Sequence, residues 1–425
     1  MASKSGIADT QVTKAAESLP TAAKVSIIVS AGVQTAAGKW KGAMRAFLLA
    51  SALQKLGHPV EILGFVDSSD ETFSADIPVK AQVSGTYPQF FKSAWQLISK
   101  IEGDIVYASK PKPSSFGTAL LSRLRDSRRP VILDIDDWEL SWHGGDNRRY
   151  PESWKQVARD LLKPDGALRQ PDHPLYLRWA ERWVSKADAI TMHTKFLHDR
   201  FGGHYVPNGK DTELFDPSRY NPEESRAKYG LSDYKVLMFP GAPRPYKGIE
   251  DLLSALELLD QPDYRLVIVG GSPYDDYDQT LMSRWGKWII QLPQCTYEEM
   301  PEVVSAAHVV VVPQRDTFST QAQFPLKLTD GMAMAKPVLA TRVGDIPDIL
   351  ADTGYLVDAD SPEQLAQGLK QILTDLPTAE LKGRQARTRC IERYSIEAMA
   401  TQLAPVMAKM TAAIGGQFKP SNLAR

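Results

Sequence analysis

Short β-branched runs alternate with helically spaced apolar stretches along most of the chain. Residues 24–30 (KVSIIVS) form an apolar run bounded by polar residues, which predicts a buried strand. Residues 43–56 then place apolar side chains at helical spacing and end at Gly57, and residues 59–65 (PVEILGF) read as the next strand. Strand, helix and strand joined by short links make a βαβ unit, which requires a parallel sheet covered on both faces. The pattern continues with strands at 104–107, 131–134 and 187–192 and a helix over 116–124. It restarts after Asn208 with strands at 235–239, 264–269, 308–313 and 337–340, and helices at 249–258, 297–306 and 326–334. Two such arrays in succession predict an α/β chain of two doubly wound, Rossmann-like domains facing across a cleft. The Pro-, Gly- and Asp-rich stretch 207–222 marks the crossing between them.

Composition changes this picture in two places. Of 425 residues, 50 are Lys or Arg and 51 are Asp or Glu, so the net charge is −1, which excludes a uniformly basic nucleic-acid binder. The total hides a split: 27 basic against 22 acidic residues up to Asn208 give +5, and 23 against 29 beyond it give −6. Seven of the nine tryptophans also precede Asn208, so the two halves are expected to meet different ligands. Two cysteines, Cys295 and Cys390, cannot build a disulfide framework or a cysteine-rich zinc site, and they fit a reducing compartment. No apolar run reaches the ~20 residues that span a bilayer, and the first residues lack the apolar centre of a signal peptide. A cytoplasmic chain is expected, with residues 1–23 and 416–425 as flexible tails.

Four segments could carry chemistry. Residues 239–248 (FPGAPRPYKG) place Arg244 and Lys247 in a Gly/Pro loop that leads into a helix N-terminus, where free amides and the dipole favour an anion. A surface loop with two solvated cations has the same pattern. Residues 324–335 (FPLKLTDGMAMA) start a second helix, with Asp330 about one and a half turns in and able to reach a ribose diol. The alternative is a buried helix whose Gly331, Ala333 and Ala335 only permit close packing. Residues 134–137 (DIDD) end a strand, where they are a general base, a metal carboxylate cluster, helix caps, or partners of Arg128 and Arg129. Residues 138–183 hold five tryptophans with Arg148 and Arg149, either as a lid for sugar rings or a membrane interface, or as a helical insertion packing its own rings. The loop after the first strand (GKWKG, from Gly38) lacks a full GxGxxG.

In order, these residues resemble a retaining GT-B glycosyltransferase of family 4, the glycosyl transferases group 1 type. Residues 206–217 (VPNGKDTELFDP) resemble the family's PNGVDTxxF link, and 241–248 its G-R-x-x-x-x-K-G loop. Residues 266–271 (LVIVGG), 298–313, 330–340 (DGMAMAKPVLA), 353–357 (TGYLV) and 362–373 are similar to the elements that follow.

The resemblance implies an acceptor-side domain over 24–208 with a returning helix at 395–415, and a nucleotide-sugar domain over 209–394. It implies that Lys247 and Arg244 hold the donor diphosphate, with Gly38, Gly241 and Gly271 allowing close approach. Amides near Gln323, Phe324 and Leu326 would meet sugar or phosphate, and Asp330 would take the ribose. Asp136 stands where relatives often carry a catalytic histidine, and Trp138, Trp142 and Arg148 would face the acceptor. Three departures stand out: Ala242 replaces the arginine after the loop glycine, and of two glutamates eight apart Ala322 replaces the first and Asp330, one methylene shorter, the second. The implied reaction moves a hexose from a UDP- or GDP-sugar, UDP-glucose first, to a glycan or lipid-linked acceptor with retention, in polysaccharide biosynthesis. It needs no metal or other cofactor and no nucleic acid, and peripheral association with the inner membrane face is a further expectation. An epimerase or hydrolase of the same fold, or a non-catalytic nucleotide-sugar-binding subunit, are the alternatives.

Overall fold

The computed structural model describes residues 22–30, 35–36, 39–40, 43–67, 77–147, 150, 153–272 and 275–415. Expectations for Gly38, for Arg148 and for the tails 1–21 and 416–425 fall outside them.

Two parallel sheets dominate. The N-terminal sheet has seven strands: β1 (Val25–Ile28), β2 (Val60–Val66), β3 (Val79–Val83), β4 (Ile105–Ser109), β5 (Val131–Ile135), β6 (Ala189–Met192) and β7 (His204–Tyr205), ordered β3-β2-β1-β4-β5-β6-β7. The C-terminal sheet has six: β8 (Lys235–Phe239), β9 (Tyr264–Val269), β10 (Ile289–Leu292), β11 (Val309–Val312), β12 (Val338–Thr341) and β13 (Tyr355–Val357), ordered β10-β9-β8-β11-β12-β13. Val25 stands opposite Val60 on one side and Ile105 on the other, and the whole of β1 and β2 is buried. Helices on both faces remove any need for polar alternation, so central strands read as continuous apolar runs.

Several boundaries differ from those the sequence predicts. The helix expected over 116–124 is a wide turn, Pro113–Gly117, running into Thr118–Ser122. The helix expected from 297 begins at Met300, because Thr296 and Glu299 bond reciprocally first: Thr296 N–H donates to Glu299 Oε2 at 2.7 Å and Glu299 N–H to Thr296 Oγ1 at 3.3 Å. The sequence reading passed over β3, whose residues are half-exposed at the sheet edge, and the helix Gln89–Ser99 beside it.

Leu376–Tyr394 packs Ala386 and Cys390 into the C-terminal core. The last helix, Ile396–Gly415, then crosses back and sets Met399, Leu403, Val406 and Met407 against Leu49 and Leu53 of helix Met44–Lys55. Each such buried side chain contributes roughly 1.5–3 kcal/mol. The linker is stitched to both: Arg45 donates to Asn208 Oδ1 at 2.7 Å and to Val206 O at 2.9 Å, and Lys210 N–H donates to Tyr394 O at 2.7 Å.

Candidate functional site

β8 runs into Gly241, whose φ of 144° lies in a region open to glycine but not to a side chain. Arg244 and the short turn Pro245–Lys247 follow, and Gly248 turns the chain at φ 67° into helix Ile249–Leu259. A Cβ on Gly248 would stand 1.8 Å from Pro313 O, so the loop rests directly on the end of β11. Arg244 pairs with Asp275 at 2.9 Å. Lys247 Nζ sits 3.5 Å from Ala242 O and faces Lys327, which projects from helix Leu326–Ala333 with its ammonium 4.7 Å from the Phe239 ring centroid.

Among the described residues neither Lys247 nor Lys327 is in an ion pair. Burial, then the Lys327 ammonium and Arg244, push the Lys247 value well below that of an ordinary lysine; burial also lowers Lys327. Two like charges ~4 Å apart repel by about 4 kcal/mol at an effective dielectric of 20. An anion relieves that repulsion; in the first turn of helix Leu326–Ala333 the Leu328 N–H is taken by Pro325 O at 2.8 Å, which leaves the Leu326 and Lys327 amides as the helix-start donors. Sequence reading missed Lys327 because it looks like the polar face of an amphipathic helix.

Asp330, expected at a ribose, gives its carboxylate to the Lys210 ammonium, and the pair is nearly buried. Lys210 Nζ also lies 3.8 Å from the Phe215 ring centroid and 5.0 Å from that of Tyr297. Lys327 stands close enough for Asp330 to favour its charge, so the carboxylate backs the cation pocket. Gln323 N–H is already bonded to Thr320 O at 3.3 Å, and the Phe324 ring is buried between His193 and Tyr394. Leu326 packs partly into the core. A Cβ on Gly271 would lie 2.6 Å from Asp278 Oδ2, so this glycine lets helix Tyr277–Trp285 close on the strand ends.

The opposite wall follows β5. Asp134 is fully buried and bidentate to Arg45 at 2.7 and 2.8 Å, with Thr191 Oγ1 donating at 2.7 Å. This corrects the expected pairing with Arg128 and Arg129, which reach Asp126 instead. Asp136 is different: its Oδ1 has no hydrogen-bond partner, Lys110 stands 3.6 Å away, and burial raises its pKa. Burial pushes Asp137 up to about 7 while Trp142 Nε1 donates to it at 2.9 Å. Against the same upward push, Lys110 and Lys112 hold Glu139 down at about 2. Lys110 has φ 74°, a left-handed strain that marks the loop after β4 as a site feature.

The tryptophans separate by role. Trp138 is 3% exposed, donates to Glu181 at 3.1 Å and lies under the Arg200 guanidinium, so it is a packing pillar and not the acceptor platform that was expected. Trp142 is 40% exposed and its ring centroid is 5.3 Å from that of Tyr246, next to Lys247. Ser141 and Ser319 hydroxyls meet at 3.1 Å, and buried His193 reaches Ala322 O at 3.3 Å and the Asn208 amide at 3.3 Å. His193 was legible only as a histidine ending a strand before a helix cap. Burial, with Arg45 nearby, keeps it neutral, so it bolts the two sheets' ends together where the family carboxylate is missing. Among the described residues no group of three or more His, Cys, Asp or Glu is placed to hold a metal, and no helix is long and apolar enough to cross a membrane.

Two parallel-sheet α/β domains, of seven and six strands, give the chain the GT-B fold. A sucrose-phosphate synthase from Thermosynechococcus elongatus shares the fold with TM-score 0.69 at 18% identity, covering 92% of this chain and 100% of that one. An Anabaena protein crystallised with UDP-glucose aligns with TM-score 0.66 at 15% identity, covering 91% and 99%. Residues 234–375 match the family described as glycosyl transferases group 1. The alpha-maltose-1-phosphate synthase of Mycolicibacterium smegmatis is 30% identical over 264 residues, 55% of this chain and 66% of its own length. The D-inositol 3-phosphate glycosyltransferase of Corynebacterium diphtheriae is 31% identical over 229 residues, 48% of this chain and 52% of its own. The chain belongs to the glycosyl transferases group 1 family. The matched segments span about half to two thirds of those two relatives.

Proposed function

We propose that the protein transfers a hexose from a nucleoside-diphosphate sugar to a hydroxyl of a glycan or lipid-linked acceptor with retention, in polysaccharide assembly. The observation that carries this reading is the Lys247–Lys327 pair beside Arg244, two facing lysines at a helix start, neither in an ion pair among the described residues. In this reading they take the donor diphosphate, and the Leu326 amide adds to them. Asp330 accepts from the ribose with its charge compensated by Lys210. The bond from sugar C1 to the β-phosphate oxygen breaks, and a bond from C1 to the acceptor oxygen forms on the same face. The acceptor proton passes to the departing β-phosphate. Fixed cations stabilise the charge that develops there; removing one such donor typically costs ~2.7–4 kcal/mol. Asp136, whose Oδ1 has no hydrogen-bond partner and lies 3.6 Å from the Lys110 ammonium, orients the acceptor hydroxyl, and Trp142 offers a face to its sugar ring.

UDP-glucose is the first donor to test. UDP-GlcNAc and GDP-mannose follow, the latter because a Mycolicibacterium smegmatis relative 27% identical over 237 residues is named as GDP-mannose-dependent. A panel of UDP- and GDP-sugars, read by calorimetry for binding and by NMR for slow hydrolysis, tests the reading. Absence of binding by every donor would overturn it.

A further inference from the structure

On the N-terminal domain lies a cavity of about 910 Å3 between helix Gln89–Ser99, helix Thr118–Ser122 with the turn before it, and helix Pro174–Arg182. That is near the top of the usual range for small-molecule sites, ~300–1,000 Å3. Its walls are apolar, with Phe90, Phe116, Leu120 and Tyr176 among them. At its mouth Phe91, Leu161, Trp179 and Trp183 are each half-exposed or more. A water-facing surface does not normally gather so many large apolar side chains around one hollow.

The charged side chains that line it are Arg169 and Arg182, and neither is in an ion pair among the described residues. Arg169 Nε donates only to Tyr87 O, at 3.0 Å. A sugar or a peptide would need carboxylates or amides to satisfy its own donors, and the wall has none of these side chains. Apolar walls with cations as their only charges suit a long hydrocarbon chain ending in an anionic head.

The cavity also adjoins the reaction cleft. On helix Pro174–Arg182, Glu181 faces Trp138 of the cleft wall while Trp179 and Ala180 line the hollow. The loop after β4 likewise begins with Lys110, beside Asp136, and continues to Pro113 in the cavity wall.

We propose that this cavity holds the hydrocarbon chain of an anionic amphiphile, its head group on Arg169 and Arg182. Resting on the transferase reading above, this is the lipid portion of the acceptor.

The test titrates the full chain with dodecyl phosphate below its micelle concentration, without donor, by tryptophan fluorescence and calorimetry. Inorganic phosphate and dodecyltrimethylammonium are the comparison arms. Saturable one-to-one binding of dodecyl phosphate is expected, not displaced by inorganic phosphate held on the Lys247–Lys327 seat, and with at least tenfold weaker binding of the cationic chain. Ala180→Phe, which fills the cavity, and Leu121→Glu, a partly exposed position on its wall, should each weaken dodecyl phosphate at least tenfold while nucleotide-sugar binding is unchanged. Equal binding of the cationic chain, displacement of dodecyl phosphate by equimolar inorganic phosphate, or unchanged affinity in both variants would overturn the proposal. Binding to phosphatidylglycerol vesicles alone, without capture of the monomer, would also overturn it. Failure of every nucleotide sugar to bind, with dodecyl phosphate still captured, would remove the transferase reading and leave the chain site standing.

Discussion

The ammonium of Lys210, on the segment between the domains, meets the carboxylate of Asp330 on the helix behind the cation seat. Their side chains are only 4% and 10% exposed, so neither charge is left to water. Breaking such a pair from one side costs about 3–5 kcal/mol, because the remaining charge stays buried. Lys210→Met should lose stability of that order in urea unfolding, and Lys210→Met with Asp330→Leu should regain most of it. If the double variant is stable and still binds UDP as the parent does, Asp330 has no ribose role.

The lysine pair makes the opposite prediction for stability. Lys327→Met removes one of two facing charges, so the free protein should melt higher while UDP-sugar affinity falls at least tenfold. Lys247→Ala should reduce turnover by about 10²–10³, the usual loss for one fixed donor to a developing oxyanion. Differential scanning calorimetry and donor titration separate the two effects. A Lys327→Met protein that melts lower, or binds donor unchanged, would remove this lysine from the seat.

Protonation follows from the same pair. Lys247 and Lys327 have folded values below the ordinary 10.5, so between the folded values and 10.5 the unfolded chain binds more protons and stability should rise with pH. A bound diphosphate restores their charge against the repulsion of Arg244, so donor binding should take up protons and weaken as pH climbs toward 10.5. Calorimetry in buffers of different ionisation enthalpy measures that uptake directly. Lys327→Met should reduce it.

Gly248 tests how tightly the loop is fixed. A Cβ there would lie 1.8 Å from Pro313 O, at a left-handed φ. Gly248→Ala should cost about 1–3 kcal/mol from overpacking and about 1–2 kcal/mol more from the backbone. Donor affinity should fall beyond what the lost stability explains. An unfolding midpoint equal to that of the parent would show that the loop can move away from β11.

Elements buried on both faces were legible because burial itself writes the apolar run: β1, β2, β8 and β9 could be read from residue order. The edge strand β3 (VKAQV) could not, since a half-exposed strand shares its mixed composition with loops. Lys247 and Arg244 were legible from their place between a strand and a helix. Lys327 and Trp138 were not, because their meaning depends on which way a side chain faces. A lysine on a helix is ordinarily solvated, and a tryptophan near a strand end can be a platform or a pillar. His193 was hidden for a related reason: its partner Ala322 lies 129 residues away in sequence.

The returning helix Ile396–Gly415 sets an order of assembly. The C-terminal sheet and the helices around it are complete once residue 394 has been made, whereas Met399, Leu403 and Met407 belong to the core of the first domain. On the ribosome, the domain synthesised first must therefore wait with an open apolar groove along Leu49 and Leu53 until the last helix emerges. The second domain can settle before it. For this chain, the N-terminal half is finished last.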